Sequence, residues 1–445
     1  KDVVSGDLFV CIKGVTKDRK EFILDAVKNG ASAIVTDEDI NLDIPVIVVN
    51  NINDELVRLS QKFYDFDNTF FKIIATTGTN GKTTVASIIK DMIGNNCSYI
   101  GTNGIRYKDK HENIVNTTPS PDRLYKYFKL FKDNDCNIIS MEASSEAYLR
   151  NRLDNLKYDI GIVTNITVDH LNAHKTIDNY IDCKKELVRN VKDNGYSILN
   201  TDDLYFNDFL TIAKGNILTY GKKESTLQII EFKENIDNTL ITLKYNDKLF
   251  NINSPLKGEY NIYNLCCAIL CLLSLNYNFD DIIARIKSIN IPEGRFEVLN
   301  FNQDYNIILD YAHNTDAFSK IFHYINKVKK NKVITVTGSA GGRDKEKRPL
   351  MGRIALDNSD LVIFTMDDPR GENVNDIIND LVSCSNKTNY IRIIDRKDAI
   401  KYALSIAKKD DFVLILGKGR DNYMAIKNKY VPYNDYDVIK DYFTK

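Results

Sequence analysis

The residues with the clearest chemical potential form a glycine-rich turn between an apolar run and a helical pattern. The apolar run is Ile73-Ile74-Ala75, and the helical pattern covers residues 85–93. Backbone N–H groups and a helix N-terminus in such a turn face an anion and cradle polyphosphate. The sequence therefore predicts a nucleotide site, with Lys82 on the phosphates and the Thr83 hydroxyl on Mg²⁺. The turn reads Thr76-Thr77-Gly78-Thr79-Asn80-Gly81-Lys82-Thr83-Thr84.

One position departs from the usual phosphate loop. That loop carries a glycine five residues before its Gly-Lys pair, and this chain has Thr76 there. The alternative is an ordinary strand–turn–helix with a chance Gly-Lys-Thr. The strand-to-helix context is the one that the motif requires, and it favours the nucleotide site.

Two polar clusters further along the chain also follow apolar strands. The first contains Glu142 and Ser144, and the second ends in Asp169 and His170. Ligands of α/β proteins gather at the carboxyl ends of strands, so Glu142 and His170 are candidate metal ligands. Taken alone, either cluster could equally be a capped loop.

Four other residues have an ordinary interpretation beside a functional one. On its neighbours alone, Lys184 is a solvated lysine of a helix. Asn261 and Asn264 open a helix, where they either cap it or bind a base edge. His313 follows a predicted strand, and it is either a loop histidine or a functional one.

Three charged loops follow strands in the last third of the chain. Residues 338–349 are rich in glycine and carry Arg343 and Arg348, whose guanidinium groups suit forked contacts with carboxylate or phosphate. Residues 367–370 and 417–421 follow strands as well, so the three loops could line one mouth. A solvated charged loop is the alternative, but it does not account for the glycines.

These residues must be positioned by strands and helices. The pattern of strands and helices along the sequence predicts an α/β protein of three domains. A length of 445 residues suggests about three domains, which we place at 1–69, 70–292 and 293–445. Alternating strands and helices predict a mostly parallel central sheet of the P-loop ATPase type, extended by an antiparallel pair over 240–252. The third region predicts a Rossmann-like sheet. Its strands are expected at 306–310, 333–337, 361–365, 390–394 and 412–416.

The amino-acid composition limits the kinds of partner that the protein is expected to bind. Lysine and arginine number 60 against 61 acidic residues, so a formal charge of −1 gives no field to recruit nucleic acid or an anionic membrane. No apolar run approaches the length of a membrane span, and the first residues lack a signal-peptide pattern. Eight cysteines without a C-x-x-C pair indicate reduced thiols. We therefore expect a cytoplasmic protein.

In order and spacing, these motifs resemble the Mur ligase superfamily, and within it the MurE family. The resemblance covers nearly the whole chain. The segments that carry it are Gly6-Asp7-Leu8-Phe9-Val10, the phosphate loop, Glu142-Ala143-Ser144-Ser145, Asn165-Ile166-Thr167-Val168-Asp169-His170-Leu171, Gly294-Arg295, Asp310-Tyr311-Ala312-His313, Arg343-Asp344-Lys345, Lys347-Arg348-Pro349 and Asp368-Pro369-Arg370.

The resemblance implies an ATP-dependent amide ligase of peptidoglycan precursor synthesis. Its three domains would hold the UDP moiety, ATP and an amino acid, and a monomer is expected. The γ-phosphate passes to the D-Glu side-chain carboxylate of UDP-MurNAc-L-Ala-D-Glu, and an amine of a diamino acid attacks the acyl phosphate. Phosphorylation supplies a leaving group to a poor acyl donor, while Mg²⁺ and Lys82 offset the phosphoryl charge.

The resemblance also assigns roles residue by residue. Lys82, Glu142, His170 and Lys184 would be catalytic, and Lys184 would carry a carbamate that helps hold the second of two Mg²⁺ ions. The metal positions are Thr83, Glu142, His170 and Lys184. The nucleotide positions are Gly78, Thr79, Asn80, Gly81, Lys82, Thr83, Thr84, Asn264, Arg295, Asp310 and His313. The substrate positions are Asn116, Thr117, Thr118, Ser144, Arg152, Arg348, Asp368, Arg370, Gly417 and Asp421.

Departures from the family pattern concern the amino acid and the start of the chain. Asp368 stands where members that add meso-diaminopimelate have Asn, and Asp421 stands where Glu is usual. Arg370 favours diaminopimelate slightly, whereas the extra acid at Asp368 suits L-lysine. The chain begins at Lys1 with five residues before Gly6, so uridine contacts are not assigned.

The sequence leaves two alternative functions to be considered. One is another ligase of the superfamily, such as folylpolyglutamate synthase, and the other is a nucleotide-binding scaffold without chemistry. The segments 343–349 and 368–370 argue against the first. A scaffold would lose its metal residues, and this chain keeps them.

Overall fold

A computed structural model describes residues 3–12, 19–114, 116–168, 171–235, 238–287, 289–427 and 429–444. The strands are β1 Leu8–Val10, β2 Ala33–Thr36, β3 Val46–Val48, β4 Lys72–Thr77, β5 Cys97–Gly101, β6 Gly104–Tyr107, β7 Lys110–Glu112, β8 Ile138–Glu142, β9 Tyr158–Val163, β10 Val191–Asn200, β11 Asn216–Gly221, β12 Leu227–Glu234, β13 Thr239–Tyr245, β14 Lys248–Ser254, β15 Glu297–Leu299, β16 Asn306–Asp310, β17 Val333–Thr337, β18 Leu361–Phe364, β19 Tyr390–Arg392, β20 Phe412–Leu416, β21 Tyr423–Ile426 and β22 Lys429–Pro432.

Helices alternate with these strands along most of the chain, which confirms the predicted α/β class. A 3-10 helix, Arg19–Phe22, precedes the first of them. The α-helices are α1 Ile23–Lys28, α2 Ile52–Phe63, α3 Lys82–Ile93, α4 Pro121–Lys132, α5 Ser145–Leu149, α6 Leu171–His174, α7 Ile177–Arg189, α8 Phe206–Leu210, α9 Glu259–Ser274, α10 Phe279–Ile286, α11 Thr315–Val328, α12 Lys347–Asn358, α13 Val374–Val382, α14 Arg396–Ile406 and α15 Asp435–Phe443.

The first sheet is small and parallel, with the order β1-β2-β3. Its core forms where Ile34 packs against Ile23 and Ala26 of α1 and Ile52 of α2. The three strands and two helices lie within the region that we expect to be the first domain. The domain limits at 69/70 and 292/293 stay predictions.

The second sheet has eleven strands in the order β14-β13-β12-β11-β10-β9-β4-β8-β5-β6-β7. From β12 to β5 the neighbours pair parallel, and an antiparallel pair extends each edge. Alternate residues face opposite sides, so Ile74 joins one hydrophobic core and Ile73 and Ala75 join the other. The mostly parallel sheet and its antiparallel extension over 240–252 are confirmed.

The third sheet has the order β15-β16-β20-β17-β18-β19, parallel except for the edge strand β15. Its last long strand, β20, lies between the first two parallel strands. β20 is buried along its whole length and apolar throughout, which suits a central position, whereas the even spacing of strands along the chain does not specify their order. The order therefore differs from the 3-2-1-4-5-6 arrangement of dinucleotide-binding domains.

Observed strand limits follow the predicted ones closely. The strands at 306–310, 333–337 and 412–416 have the predicted limits. The strand expected at 390–394 ends two residues earlier, at Arg392. Within the described ranges, no helix combines the length and apolar character needed to cross a membrane.

Candidate active site

One cavity of about 1260 Å³ lies at the carboxyl ends of strands from both large sheets. It joins the phosphate-loop region of the second sheet to the charged loops of the third. The predicted site residues that line it are Thr79, Asn80, Gly81, Lys82, Thr83, Thr84, Asn116, Thr117, Thr118, Glu142, Ser144, Arg152, Lys184, Asn264, Arg295, Asp310, His313, Asp368, Arg370, Gly417 and Asp421. Gly78 and Arg348 are not among its lining, and His170 lies outside the described residues.

The phosphate loop depends on two glycines. Gly78 and Gly81 have φ angles of +142° and +91°, in the region that side chains disfavour. A Cβ atom at Gly78 would collide with the Thr164 hydroxyl, and one at Gly81 would collide with the Asn264 side chain. The backbone can therefore turn tightly into α3 only with glycine at both positions.

Two lysine ammonium groups converge on this loop. Lys82 Nζ donates to the carbonyl oxygens of Gly78 and Thr79, each at 2.9 Å. Lys184 Nζ donates to the same Gly78 oxygen at 2.7 Å and lies 4.5 Å from the centre of the Tyr180 ring. Lys184 is only 1% exposed, so the interpretation of it as a solvated helical lysine is wrong.

Glu142 is a carboxylate beside this loop, and hydrogen bonds to both of its oxygens fix its orientation. The Thr83 hydroxyl donates to its Oε2 at 2.9 Å, while the Tyr99 hydroxyl and the Thr102 amide donate to Oε1 at 2.7 and 2.8 Å. Arg295 Nη2 donates to the Thr83 hydroxyl at 3.2 Å. A carboxylate and a threonine hydroxyl beside a lysine fit the oxygen ligands that Mg²⁺ takes next to phosphates.

This oxygen set is smaller than an all-protein metal cage. Within the part of the chain that the structure describes, no three His, Cys, Asp or Glu side chains cluster as metal ligands. That arrangement agrees with Mg²⁺, which keeps several waters and takes only one or two carboxylates together with substrate phosphates.

Three of the predicted substrate positions, Thr118, Ser144 and Arg152, form one hydrogen-bonded group beside Glu142. Thr118 Oγ1 donates to the Glu142 carbonyl at 2.9 Å and lies 3.2 Å from Ser144 Oγ, which caps α5. Arg152 Nη1 donates to the Thr118 carbonyl at 2.9 Å. Burial lowers the pKa of Arg152, since burial disfavours its charged form. The cation at Arg152 therefore faces the cavity in a partly desolvated setting that favours an anionic ligand.

The third-sheet region contributes an acidic and a basic side chain to the end of the cavity at the phosphate loop. Asp310 accepts hydrogen bonds from the backbone amides of Phe296 and Ala312 at 2.5 and 2.6 Å. Burial raises the pKa of Asp310, and the charge of Arg295 opposes this rise. Arg295 also stacks 4.7 Å from the centre of the Tyr311 ring. Asp310 thereby holds the turn that carries Arg295 toward Thr83.

Loops after two strands of the third sheet, β18 and β20, meet at what we call the acidic corner, which is formed by Asp367, Asp368, Lys418 and Asp421. Lys418 Nζ lies 2.8 Å from Asp368 Oδ1 and 3.4 Å from Asp421 Oδ2. The corner belongs to the same cavity through its three aspartates. Residues of all three charged loops, 338–349, 367–370 and 417–421, line this cavity, so the prediction that they line one mouth is confirmed.

The loop beside this corner has an unusual backbone. Asp368 and Arg370 are non-glycine residues with φ angles of +43° and +51°. Hydrogen bonds to β21 fix them, since Arg370 N donates to the Ala425 carbonyl and Ala425 N donates to Asp368. Residues with strained backbone angles are common at functional sites, where the surrounding structure holds them in place.

The two arginines of the 338–349 loop have different surroundings. Arg348 is completely buried, and its guanidinium group binds Glu372 at 3.0 Å, Asp380 at 2.9 Å and the Ala340 carbonyl at 3.0 Å. Arg343 instead lines the cavity with a side chain that is 42% exposed. Arg343 therefore faces the cavity and Arg348 does not, and the substrate role of Arg348 stays a prediction.

Other cavity residues were missing from the predicted site. Asp367, which lines the cavity, and Lys418, which lies behind it in the acidic corner, were not among the predicted residues, although both follow apolar strands, which was the available signal. Ser339 also lines the cavity, is 3% exposed, and its hydroxyl finds no hydrogen-bond partner among the described residues. A buried hydroxyl without a partner is rare, and it is accessible to a ligand here.

Comparison with known proteins gives a consistent result over the whole length. Residues 76–272 match the Mur ligase middle domain, and residues 294–419 match the Mur ligase glutamate ligase domain. The chain is 36% identical to the UDP-N-acetylmuramoyl-L-alanyl-D-glutamate–2,6-diaminopimelate ligase of Clostridium perfringens, over 99% of this chain and 93% of the relative.

Solved structures agree with this result. A structure of a UDP-N-acetylmuramoyl-L-alanyl-D-glutamate–2,6-diaminopimelate ligase is 26% identical, covers 100% of this chain and 93% of its own, and superposes with a TM-score of 0.66. The MurF ligase of Thermotoga maritima in complex with ADP, 20% identical over 93% of this chain and 92% of its own, shares the fold with a TM-score of 0.69. The chain belongs to the Mur ligase family.

Proposed function

We propose that this chain is an ATP-dependent ligase that joins diaminopimelate to the D-Glu side-chain carboxylate of UDP-MurNAc-L-Ala-D-Glu. One observation carries the proposal: a single cavity contains both the phosphate loop and the acidic corner, so an activated acyl group and an amine could meet inside it. The full-length relative named for this activity supports the choice of substrates.

The reaction has two steps in this cavity. The carboxylate of the D-Glu residue attacks the γ-phosphorus of ATP, which forms an acyl phosphate and releases ADP. An amine of diaminopimelate then attacks the acyl carbon, phosphate leaves, and the amine loses a proton. The first step gives the carboxylate a leaving group, and this makes amide formation feasible.

The residues of the loop bind and orient the nucleotide. Lys82 and the amides at the start of α3 would hold the phosphates, and Thr83 and Glu142 would hold Mg²⁺. When bound, the metal offsets negative charge on the transferring phosphoryl group. Arg295, which contacts Thr83, would add a cation from the C-terminal side.

We propose that Lys184 acts as a carbamate, formed when its neutral amine adds CO₂ and loses a proton. Its burial and its place 2.7 Å from the Gly78 carbonyl support a role beside the phosphates rather than on the surface. The modified side chain would be an anion able to hold a second Mg²⁺ ion. His170, which lies outside the described residues, stays a predicted metal ligand.

The amino acid would occupy the region of the acidic corner. Its distal ammonium group would meet carboxylates there, and its distal carboxylate would meet Arg370 and Arg343, which line the same cavity. We expect the enzyme to act in the cytoplasm as a monomer.

The test is phosphate release by purified protein with ATP, Mg²⁺ and UDP-MurNAc-L-Ala-D-Glu. Separate reactions supply meso-diaminopimelate, L-lysine, L-ornithine or no amine. We expect release that depends on both the nucleotide precursor and meso-diaminopimelate. Absence of release with every amine would refute the ligase function, and a preference for L-lysine would refute the proposed amino acid.

A further inference from the structure

A buried lysine occupies the centre of the acidic corner. Lys418 is 1% exposed, and its ammonium group bonds to Asp368 at 2.8 Å and to Asp421 at 3.4 Å. Burial lowers the pKa of Lys418, but the charges of Asp367, Asp421 and Asp368 outweigh burial and raise it. Lys418 therefore remains a cation at neutral pH among three carboxyl groups.

Asp368 is engaged within the protein. Its Oδ1 accepts hydrogen bonds from Lys418 Nζ at 2.8 Å and from the Ala425 amide at 2.9 Å. The residue is 7% exposed. A carboxylate that pairs with a buried ammonium and a backbone amide has its charge offset internally. The acid at position 368 therefore adds little free negative charge to attract a ligand.

Asp421 has a looser contact with the same lysine. Burial raises its pKa to about 6, Lys418 lowers it, and Asp368 and Asp367 raise it. The hydroxyl groups of Tyr311 and Tyr423 also interact electrostatically with Asp421. At pH 7 Asp421 is mainly ionised, and removal of the Lys418 charge would move its pKa toward the working pH.

We propose that Lys418 is a positioning residue for the incoming diamino acid: it retains Asp368 in an internal ion pair and keeps Asp421 as the carboxylate that receives a substrate ammonium group. The inference rests on the proposed function. It also removes the argument for L-lysine, because the extra acid at position 368 is matched by a cation of the protein. Arg370, whose Nη1 donates to the Gly341 carbonyl at 2.6 Å, and Arg343, which lies 3.9 Å from Glu146, line the same cavity and could meet the distal carboxylate of diaminopimelate.

The experiment compares the full-length wild type with Lys418→Met, Asp368→Asn and the double variant. Steady-state rates with meso-diaminopimelate are measured from pH 5.5 to 8.5, and KM for ATP is measured in parallel. We expect Lys418→Met to raise KM for diaminopimelate at least tenfold at pH 7 and to shift the acidic limb of kcat/KM upward by at least half a pH unit. KM for ATP should change by less than threefold.

The net charge of the acidic corner in each variant predicts how the other two variants should behave. Lys418→Met leaves three carboxylates without their cation, whereas the double variant removes one charge of each sign. The double variant should therefore recover part of the lost affinity, and Asp368→Asn alone should raise KM for diaminopimelate less than Lys418→Met does. Lys429→Met, an exposed substitution on β22 of the neighbouring hairpin, is the matched control.

Two results would overturn the inference. One is a Lys418→Met enzyme with the wild-type KM for diaminopimelate and the wild-type pH profile. The other is a larger rise in KM for Asp368→Asn than for Lys418→Met, since Asp368 would then bind the substrate itself. If Lys418→Met does not fold, the comparison of Asp368→Asn with the double variant decides, because an equal KM for diaminopimelate in these two enzymes would show that Lys418 has no part in binding. An inactive wild type would contradict the proposed function instead.

Discussion

The side-chain amide of Asn80, in the phosphate loop, donates a 2.8 Å hydrogen bond to Asp316 on helix α11 of the third-sheet region. Asn314, the N-cap of α11, donates to the other end of the same amide at 3.2 Å. The phosphate loop is therefore held directly by the part of the chain that carries the acidic corner. This contact relates nucleotide binding to the position of the amino-acid loops.

Loss of this contact should weaken catalysis. Asp316→Ala removes one acceptor of Asn80, and a hydrogen bond of this kind contributes about 1 kcal/mol, or roughly a fivefold effect. We expect kcat/KM for ATP to fall about fivefold to tenfold in a phosphate-release assay. Asp376→Ala is the control, because Asp376 also lies in the first turn of a helix, α13, but is exposed. Equal rates for the two variants would contradict the role of the contact.

Glu142 should determine the response to Mg²⁺. Glu142→Ala removes the carboxylate beside Thr83, and we expect activity to fall by about 100-fold or more. Tyr99→Phe removes only the hydroxyl that orients Glu142, so we expect a higher requirement for Mg²⁺ with a smaller loss, of order tenfold. Titration of both variants with Mg²⁺ distinguishes the two effects. A Glu142→Ala enzyme with the wild-type Mg²⁺ dependence would exclude Glu142 as a ligand.

Lys184 provides a test of the carbamate. Lys184→Ala should abolish phosphate release, and Lys184→Glu should restore part of it, since glutamate places an anion near the same position. Added bicarbonate should also reactivate CO₂-depleted wild type. The control is Lys185→Ala, because Lys185 pairs with Asp182 and Asp208 near the surface at 3.7 and 3.6 Å. Wild-type rates from Lys184→Ala would refute the carbamate role.

Arg348 should act on stability. Arg348→Met leaves Glu372 and Asp380 without their buried partner, and a broken buried pair costs about 3 kcal/mol. Thermal unfolding should therefore begin at a lower temperature. Arg353→Met on the same helix is the control, because the Arg353 side chain is 61% exposed and its pairing with Asp357 should contribute less than about 1 kcal/mol. Equal melting temperatures for the two variants would contradict this assignment.

The same pair predicts a pH dependence of stability. The hydrogen bond from Arg348 lowers the pKa of Glu372 to about 2 from its ordinary value of 4.5. A carboxyl group with a depressed folded-state pKa stabilises the protein above its unfolded pKa, and the contribution is lost as pH falls through the folded pKa. The difference in melting temperature between wild type and Arg348→Met should be constant above pH 5 and shrink toward pH 2. A constant difference throughout this range would exclude the ion pair as its cause.

The α/β class, most strand positions and the nature of the phosphate loop could be predicted from the amino-acid sequence alone. These features depend on local patterns: buried strands of five residues such as Val333–Thr337 are continuously apolar or β-branched, and a Gly-Lys-Thr turn carries its own backbone chemistry. Because such signals lie within one short segment, they could be read without knowledge of the neighbours in space.

Which of several similar charged residues faces the cavity could not be predicted from local sequence, because it depends on the tertiary structure. Arg343 and Arg348 lie five positions apart in the same cationic loop, yet one lines the cavity and the other is buried against Glu372. Lys418 and Asp368 are neighbours only because β20 and the loop after β18 meet at one sheet edge. The energy of a charge depends on its desolvation and on its partners, and both are set by contacts between segments distant in the chain.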